Sequence, residues 1–286
     1  MRVAVTGASG FVGQHVLHEL QSRDLEIVAI SRTTAGPAFD NGRIEFVQMD
    51  IAEAHANPIE KMGSPDVLIH LAWDGLPNYQ SPAHMEIELP RQRRFLTSCL
   101  DSGLERLVVT GTCFEYGRLS GEIFEYMPAN PCTQYGAAKD ALHNHLKACK
   151  TNHAYQLSWL RLFYLFGPGQ SKASLYSLLM NAIHRGDTDF DMSGGEQIRD
   201  FLPIEEAARA IVDLAMYPSE VGTVNVCSGK PTSVRKLVEE WIRASKSHIN
   251  MKLGCIPYSD IEPMHFWGNC SKLNRILKNS SQNLRR

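Results

Sequence analysis

The feature that most constrains this chain is a run of glycines set between a strand and a helix at its amino end. Thr6-Gly7-Ala8-Ser9-Gly10-Phe11-Val12-Gly13 follows the apolar, strand-like Arg2–Thr6. It opens a stretch in which Val12, Val16, Leu17 and Leu20 recur at helical spacing. In such a turn the first glycine permits a tight bend, the second lets the backbone approach a pyrophosphate, and the third lets helix pack on strand. The free amides and partial positive charge at the helix start then suit phosphate. Gly7, Ser9, Gly10, Phe11, Val12 and Gly13 are therefore expected to hold a dinucleotide. The glycine spacing differs from G-x-G-x-x-G, so the placement between strand and helix gives the motif its weight.

The rest of the chain repeats the alternation. Apolar runs at 26–31, 44–48, 67–71, 107–110 and 156–162 read as buried strands, and helical patterns cover 88–102 and 135–150. Strands alternating with helices imply βαβ units: an α/β fold with a Rossmann, doubly wound parallel sheet. After Gly167-Pro168-Gly169 the rhythm changes to helices near 174–186, 204–216 and 233–245, with short strands at 200–202 and 223–227. The expected organisation is a dinucleotide-binding Rossmann domain over 1–167 that also carries the catalytic residues. Residues 168–286 would form mainly a smaller C-terminal α/β substrate-binding domain, with some elements returning to the main sheet.

Composition excludes several partners. The formal net charge is −2, with 43% hydrophobic and 21% charged residues, which gives no electrostatic reason to expect nucleic acid or an anionic membrane. The basic clusters Arg91-Gln92-Arg93-Arg94 and Leu284-Arg285-Arg286 read as a solvated helix face and a tail. The chain opens directly on a strand rather than a signal peptide, and no apolar run reaches the ~18–20 residues of a membrane helix. Seven scattered cysteines without a C-x-x-C pair argue for reduced thiols and a cytoplasmic setting. No histidine cluster has metal-site spacing; His143 and His145 diverge by roughly 200° around a helix, so no metal is expected. His70, closing a strand, reads as a packed or hydrogen-bonded residue.

Two further patterns carry chemistry. At the end of the second strand, Ser31-Arg32 stands where an acid would hold the ribose 2′-hydroxyl of NAD. A carboxylate would repel a 2′-phosphate, whereas a guanidinium binds it with charge-assisted hydrogen bonds. NADP(H) is therefore the favoured cofactor and NAD(H) a possible one, with an exposed loop arginine as the other reading of Arg32. Tyr135 and Lys139 lie four residues apart on a helix and share a face. A free phenol has a pKa of about 10, and a neighbouring ammonium is expected to bring it toward the working range. Thr112, just past the strand at 107–110, places a hydroxyl at the carboxyl edge where α/β sheets bind ligands. Its other reading is a strand-end turn residue.

With these residues in view, the sequence resembles the extended short-chain dehydrogenase/reductase family, in its NAD(P)-dependent nucleotide-sugar epimerase/dehydratase/reductase branch. The resemblance covers nearly the whole chain. Asp50-Ile51 is similar to the family's adenine-contacting pair, and His70-Leu71-Ala72-Trp73 to the segment beside the cofactor. Thr112 with Tyr116-Gly117 matches Ser/Thr-x-x-x-Tyr-Gly, and Pro131 through Lys139 matches Pro-x-Ser-x-Tyr-Gly…Lys. The stretch from Arg161 through Tyr164 to Gly167-Pro168 resembles Arg-x-x-Asn-x-Tyr-Gly-Pro, and Arg199-Asp200-Phe201 the family's Arg-Asp-Phe. The resemblance implies Thr112, Tyr135 and Lys139 as catalytic residues. It adds Asp50, Ile51, Leu71, Ala72 and Trp73 to the cofactor site, and Tyr164 and Arg199 to the substrate site. A salt bridge is the other reading of Arg199.

The departures from the family pattern narrow the chemistry. Tyr164 stands where the family has Asn, Met85–Pro90 lacks an expected Asn, and the segment 262–267 offers no counterpart to a substrate-holding Arg. Sugar 4,6-dehydratases carry Asp-Glu after the catalytic Thr, but here those places are Cys113 and Phe114. Cys113 reads as packing. What the resemblance then implies is NADP(H)-dependent reduction of a nucleoside-diphosphate 4-keto-6-deoxy sugar, with dTDP as the expected nucleotide. A nucleotide-sugar 4-epimerase with transiently reduced NAD is the alternative, and a non-catalytic NADP-binding redox sensor a third reading. A homodimer built on the helices near 88–102 and 135–150 is also implied.

Overall fold

Short apolar runs, shielded from water on both faces, line up side by side at the centre of this protein, as parallel sheets require. The structure, a computed structural model, describes residues 1–32, 42–258 and 262–283. Its elements begin with β1 (Arg2–Thr6), α1 (Phe11–Gln21), β2 (Glu26–Ser31), β3 (Ile44–Gln48), α2 (Pro58–Lys61) and β4 (Val67–His70). There follow α3 (Leu89–Asp101), β5 (Arg106–Thr112), β6 (Gly121–Ile123), α4 (Gln134–Cys149), β7 (Gln156–Leu162) and β8 (Tyr164–Phe166). Next come α5 (Leu175–Arg185), β9 (Asp189–Asp191), β10 (Ile198–Pro203), α6 (Ile204–Met216), β11 (Gly222–Val226) and β12 (Pro231–Ser233). The chain closes with α7 (Val234–Ala244), β13 (Asn250–Lys252), β14 (Phe266–Gly268) and α8 (Ser271–Asn283). Leu284-Arg285-Arg286 lies outside the described residues.

The main sheet has seven parallel strands in the order β3-β2-β1-β4-β5-β7-β11. This is the doubly wound α/β architecture that the alternation predicts. One face packs against α1, α6 and α8 through Val16, Leu17, Leu20, Ile211 and Ile276. The other packs against α2, α3 and α4 through Ile59, Phe95, Leu96 and Leu142. Strand order reverses between β1 and β4, which opens a crevice at their carboxyl ends, the usual ligand position in such sheets.

Residue 167 is not a spatial divide. From beyond it, β11 joins β7 as the last strand of the main sheet, and α6 and α8 cover one face. What remains forms a smaller layer: α5 and α7 enclose Leu179, Phe190 and Trp241 beside the β9–β13 pair. Strand β10 bridges the two regions, pairing with β12 and with β8, so that Phe201 lies opposite Tyr164. The parallel pairing of β14 with β6 ties the carboxy-terminal segment back to the chain between β5 and α4.

Candidate active site

The glycine turn forms a cradle that larger residues would fill. Gly7 has φ +67°, and a Cβ there would lie 2.7 Å from the Ala72 nitrogen at the end of β4. A Cβ on Gly13 would lie 2.1 Å from the Gly7 carbonyl oxygen. Gly10 caps helix α1 with backbone alone: its amide donates to the Gly7 carbonyl at 3.0 Å, and no side chain caps the helix start. Two cavities flank this helix start. A pocket of about 170 Å³ is lined by Gly7, Ser9, Gly10, Ser31, Arg32, Asp50, Ile51, Ala72 and Trp73. A second, of about 420 Å³, takes in Phe11, Val12, Thr112, Tyr135, Lys139 and Tyr164. Leu71 and Trp73 line both. Bare glycine backbone, a helix start with no side-chain cap and paired cavities fit a dinucleotide whose pyrophosphate rests on α1.

The three expected catalytic side chains meet in the second cavity. Thr133 caps α4 by accepting from the Gly136 amide at 3.0 Å, which starts the helix one residue before Tyr135. The Tyr135 phenol hydrogen-bonds the Thr112 hydroxyl, and the Tyr135 amide donates to the Tyr79 carbonyl at 3.0 Å. Lys139, fully buried, donates from Nζ to the Thr110 carbonyl at 2.8 Å and lies 4.1 Å from the Trp73 ring centre. Burial pushes the Lys139 ammonium down to about 7, against the pull of Glu115 and Glu88. The sequence led us to expect a depressed Tyr135 pKa, and here the structure differs. Burial pushes the phenol up, because desolvation of the phenolate outweighs the Thr112 hydrogen bond that favours it.

Beneath Thr112 lies a buried ion pair that the sequence did not reveal. Glu115 accepts from Arg161 Nε at 2.7 Å, from the Thr112 amide at 2.8 Å and from the Trp159 indole at 3.0 Å. A capping box formed by Thr112 and Glu115 closes the turn at Cys113–Tyr116. Cys113 is buried among Tyr116, Phe163 and Phe266, and burial raises its thiol pKa. Glu115, Asp140 and His143 lie close enough to share a cation. Arg161 already neutralises the Glu115 carboxylate, however, and His143 is stacked on Trp159 at 4.5 Å.

A polar chain fixes the end of β4. Thr6 donates to His70 Nδ1 at 2.8 Å, and His70 Nε2 donates to Gln92, whose amide donates to Glu88 at 2.6 Å and the Ala72 carbonyl at 3.0 Å. Burial holds the His70 pKa down at about 3, and the Gln92 amide nitrogen, engaged by Glu88 and Ala72, leaves the amide oxygen to accept from Nε2. Beyond it, Trp73 donates to His84 Nδ1 at 3.1 Å, and His84 Nε2 donates to the Asn78 carbonyl at 2.9 Å. Trp73, Tyr79 and His84 thereby surround the Tyr135 ring, with centroids 5.7, 5.7 and 5.3 Å away.

A third cavity, of about 660 Å³, is lined by Arg185, Arg199, Phe201, Ile256 and Tyr258. Tyr164 and Glu262 line both it and the second. Arg199, which was expected near the substrate, gives Nε to Glu262 at 3.0 Å, and Tyr164 gives its hydroxyl to the same carboxylate oxygen at 2.7 Å. Arg199 is thus both in a salt bridge and on the cavity wall. Glu262 and Tyr79 come from a loop and a turn with no motif of their own, and only the fold brings them to the site.

The family model described as "NAD dependent epimerase/dehydratase family" matches residues 3–227. Among curated proteins, dTDP-6-deoxy-L-talose 4-dehydrogenase (NAD(+)) of Aggregatibacter actinomycetemcomitans is 29% identical, over 94% of this chain and 99% of that protein. The structure of MoeE5 in complex with UDP-glucuronic acid and NAD superposes with TM-score 0.80 at 25% identity, covering 97% of this chain and 93% of that one. A UDP-N-acetylglucosamine 4-epimerase from Methanobrevibacter ruminantium M1 shares the fold with TM-score 0.84 at 24% identity, over 96% and 91% of the two chains. The match runs from the glycine turn through Thr112 and the Tyr135–Lys139 helix to β11, and the chain belongs to the NAD-dependent epimerase/dehydratase family.

Proposed function

We propose that this enzyme reduces the 4-keto group of a nucleoside-diphosphate 4-keto-6-deoxy sugar, with dTDP as the nucleotide and NADPH as the hydride source. The observation that carries the reading is Tyr135, held by Thr112 and kept protonated by burial, on the wall of a cavity that shares Leu71 and Trp73 with the pocket at the α1 cradle. A protonated phenol is the donor that ketone reduction needs. When bound, the nicotinamide supplies hydride to the carbonyl carbon. Tyr135 gives its proton to the developing alkoxide, and Thr112 donates a hydrogen bond to the same oxygen. Lys139 holds the cofactor ribose and stabilises the phenolate left behind. The cofactor contacts are those of the α1 turn, Asp50, Ile51 and the Leu71–Trp73 segment. NADPH rests on Arg32 and the missing acid at the end of β2.

The outer cavity suits the nucleotide end of the substrate. There Arg199 is the phosphate-binding candidate, because a planar fork of donors matches phosphate oxygens, and Tyr164 lines the passage between the sugar and nucleotide regions. Cys113 and Phe114 beside Thr112 supply no acid–base pair for water elimination, which disfavours a dehydratase. The likeness to the 6-deoxy-L-talose 4-dehydrogenase supports a 6-deoxyhexose and chemistry at C4. We further propose a homodimer through α3 and α4, measurable by sedimentation, and a cytosolic location, supported by seven free cysteines. Among the described residues no helix is long and apolar enough to cross a membrane.

Loss of nicotinamide absorbance on mixing enzyme, NADPH and a dTDP-4-keto-6-deoxyhexose tests the reading. The wild type should consume NADPH, and Tyr135→Phe should lose about 10²–10⁴-fold in rate while still binding cofactor. A 4-epimerase would change the sugar with no net consumption. A non-catalytic sensor would bind NADPH and turn over no sugar nucleotide.

A further inference from the structure

The pocket at the adenosine end of the cradle holds an ion pair between two loops far apart in sequence. Arg32, at the end of β2, meets Asp74, past the end of β4, through two contacts: Nη1 to Oδ2 at 3.0 Å and Nη2 to Oδ1 at 3.2 Å. Both side chains line the same pocket as Gly7, Gly10 and Asp50. Both backbones are pinned. The Arg32 carbonyl accepts from Gln48 Nε2 at 3.1 Å, and the Asp74 amide donates to Glu88 at 3.3 Å, at the end of the buried His70–Gln92–Glu88 chain.

We propose that Asp74 is a specificity-determining residue for the cofactor: it restores, from the loop after β4, the carboxylate that the end of β2 lacks. The inference rests on the cofactor reading above and sets its limit. For a ribose bearing a 2′-hydroxyl, an aspartate in this pocket is an acceptor and the Arg32 pair persists. A 2′-phosphate brings nearly two negative charges and must take Arg32 away from Asp74 while lying next to it. Like-charge juxtaposition is what gives a binding site its discrimination. Arg32 and Asp74 remain 64% and 54% exposed, so the pair is screened and weak enough for a phosphate to displace. The wild type therefore accepts both dinucleotides, with Arg32 favouring NADPH and Asp74 opposing it.

The test is the affinity for NADPH and NADH, read by energy transfer from protein indoles to the nicotinamide, in wild type, Asp74→Asn and Arg32→Gln. Neither side chain is buried, so both variants should fold, and no sugar substrate is needed. Asp74→Asn should tighten NADPH by about tenfold or more relative to NADH; Arg32→Gln should move the ratio the other way by a similar factor. An unchanged ratio in Asp74→Asn, with Arg32→Gln still weakening NADPH, overturns the role of Asp74 and leaves the cofactor reading standing. A wild type that binds neither dinucleotide overturns both.

Discussion

The ammonium of Lys139 lies 4.1 Å from the centre of the Trp73 indole, on the face that the ring's quadrupole makes attractive to a cation. Trp73 also lines both cavities beside the α1 turn. In the proposed mode of binding, it stands between the α1 turn and Tyr135.

Trp73 should report cofactor binding directly. Adding NADPH is expected to change the indole emission of the wild type, and Trp73→Phe should keep binding while losing most of that change. Trp159, packed against Glu115 in the core, should contribute little. An emission change of undiminished size in Trp73→Phe would move the cofactor away from this residue.

Lys139 gives the reaction a pH signature. Its ammonium is pushed down to about 7, so it is charged below that pH and neutral above it. Chemistry that needs the charge should weaken as pH rises through that value, seen as a falling alkaline limb in kcat/KM, which reports the free enzyme. Tyr135, pushed upward, stays protonated across the same range and should add no limb there. In Lys139→Arg the guanidinium does not titrate, and whatever activity remains should lack the fall.

The Glu115–Arg161 pair should matter more to stability than its single contact suggests. Both side chains are almost completely buried, and the carboxylate also holds the Thr112 amide. Glu115→Ala would leave a buried guanidinium unpaired, at a cost of about 3–5 kcal/mol. Denaturant unfolding measures this loss, and one below about 1 kcal/mol would contradict the arrangement.

Arg199 should act on substrate and not on cofactor. Arg199→Met is expected to raise KM for the nucleotide sugar by about tenfold or more, since charge-assisted contacts to phosphate are among the stronger hydrogen bonds. NADPH affinity should stay within about twofold, because Arg199 lines the outer cavity and not the α1 cradle. Equal weakening of both ligands would show that the change disturbs the whole site.

Strands such as Glu26–Ser31 and Gln156–Leu162, and helices such as Ile204–Met216, were legible because burial imposes a local period on sequence. The glycine turn, Thr112, Tyr135 and Lys139 were legible because each sits at a fixed offset from such an element. Asp74 and Glu262 were not. Each lies in a loop, and its partner, Arg32 or Arg199, is 42 or 63 residues away, so no local pattern joins them. The pKa direction of Tyr135 was misjudged for a related reason. The lysine four residues on is visible in sequence, but the desolvation by Trp73, Tyr79 and His84 is not.

Hydride transfer to C4 with Tyr135 as proton donor is the step on which the proposed function depends. It is tested most directly with NADPH carrying deuterium at the transferable position and a dTDP-4-keto-6-deoxyhexose, with the product analysed by mass spectrometry and NMR. One deuterium on C4 of a 4-hydroxy sugar and one NADP formed per product are expected, with near-complete loss of both in Tyr135→Phe. A stereochemically altered sugar without deuterium at C4 and without net NADPH consumption would contradict it.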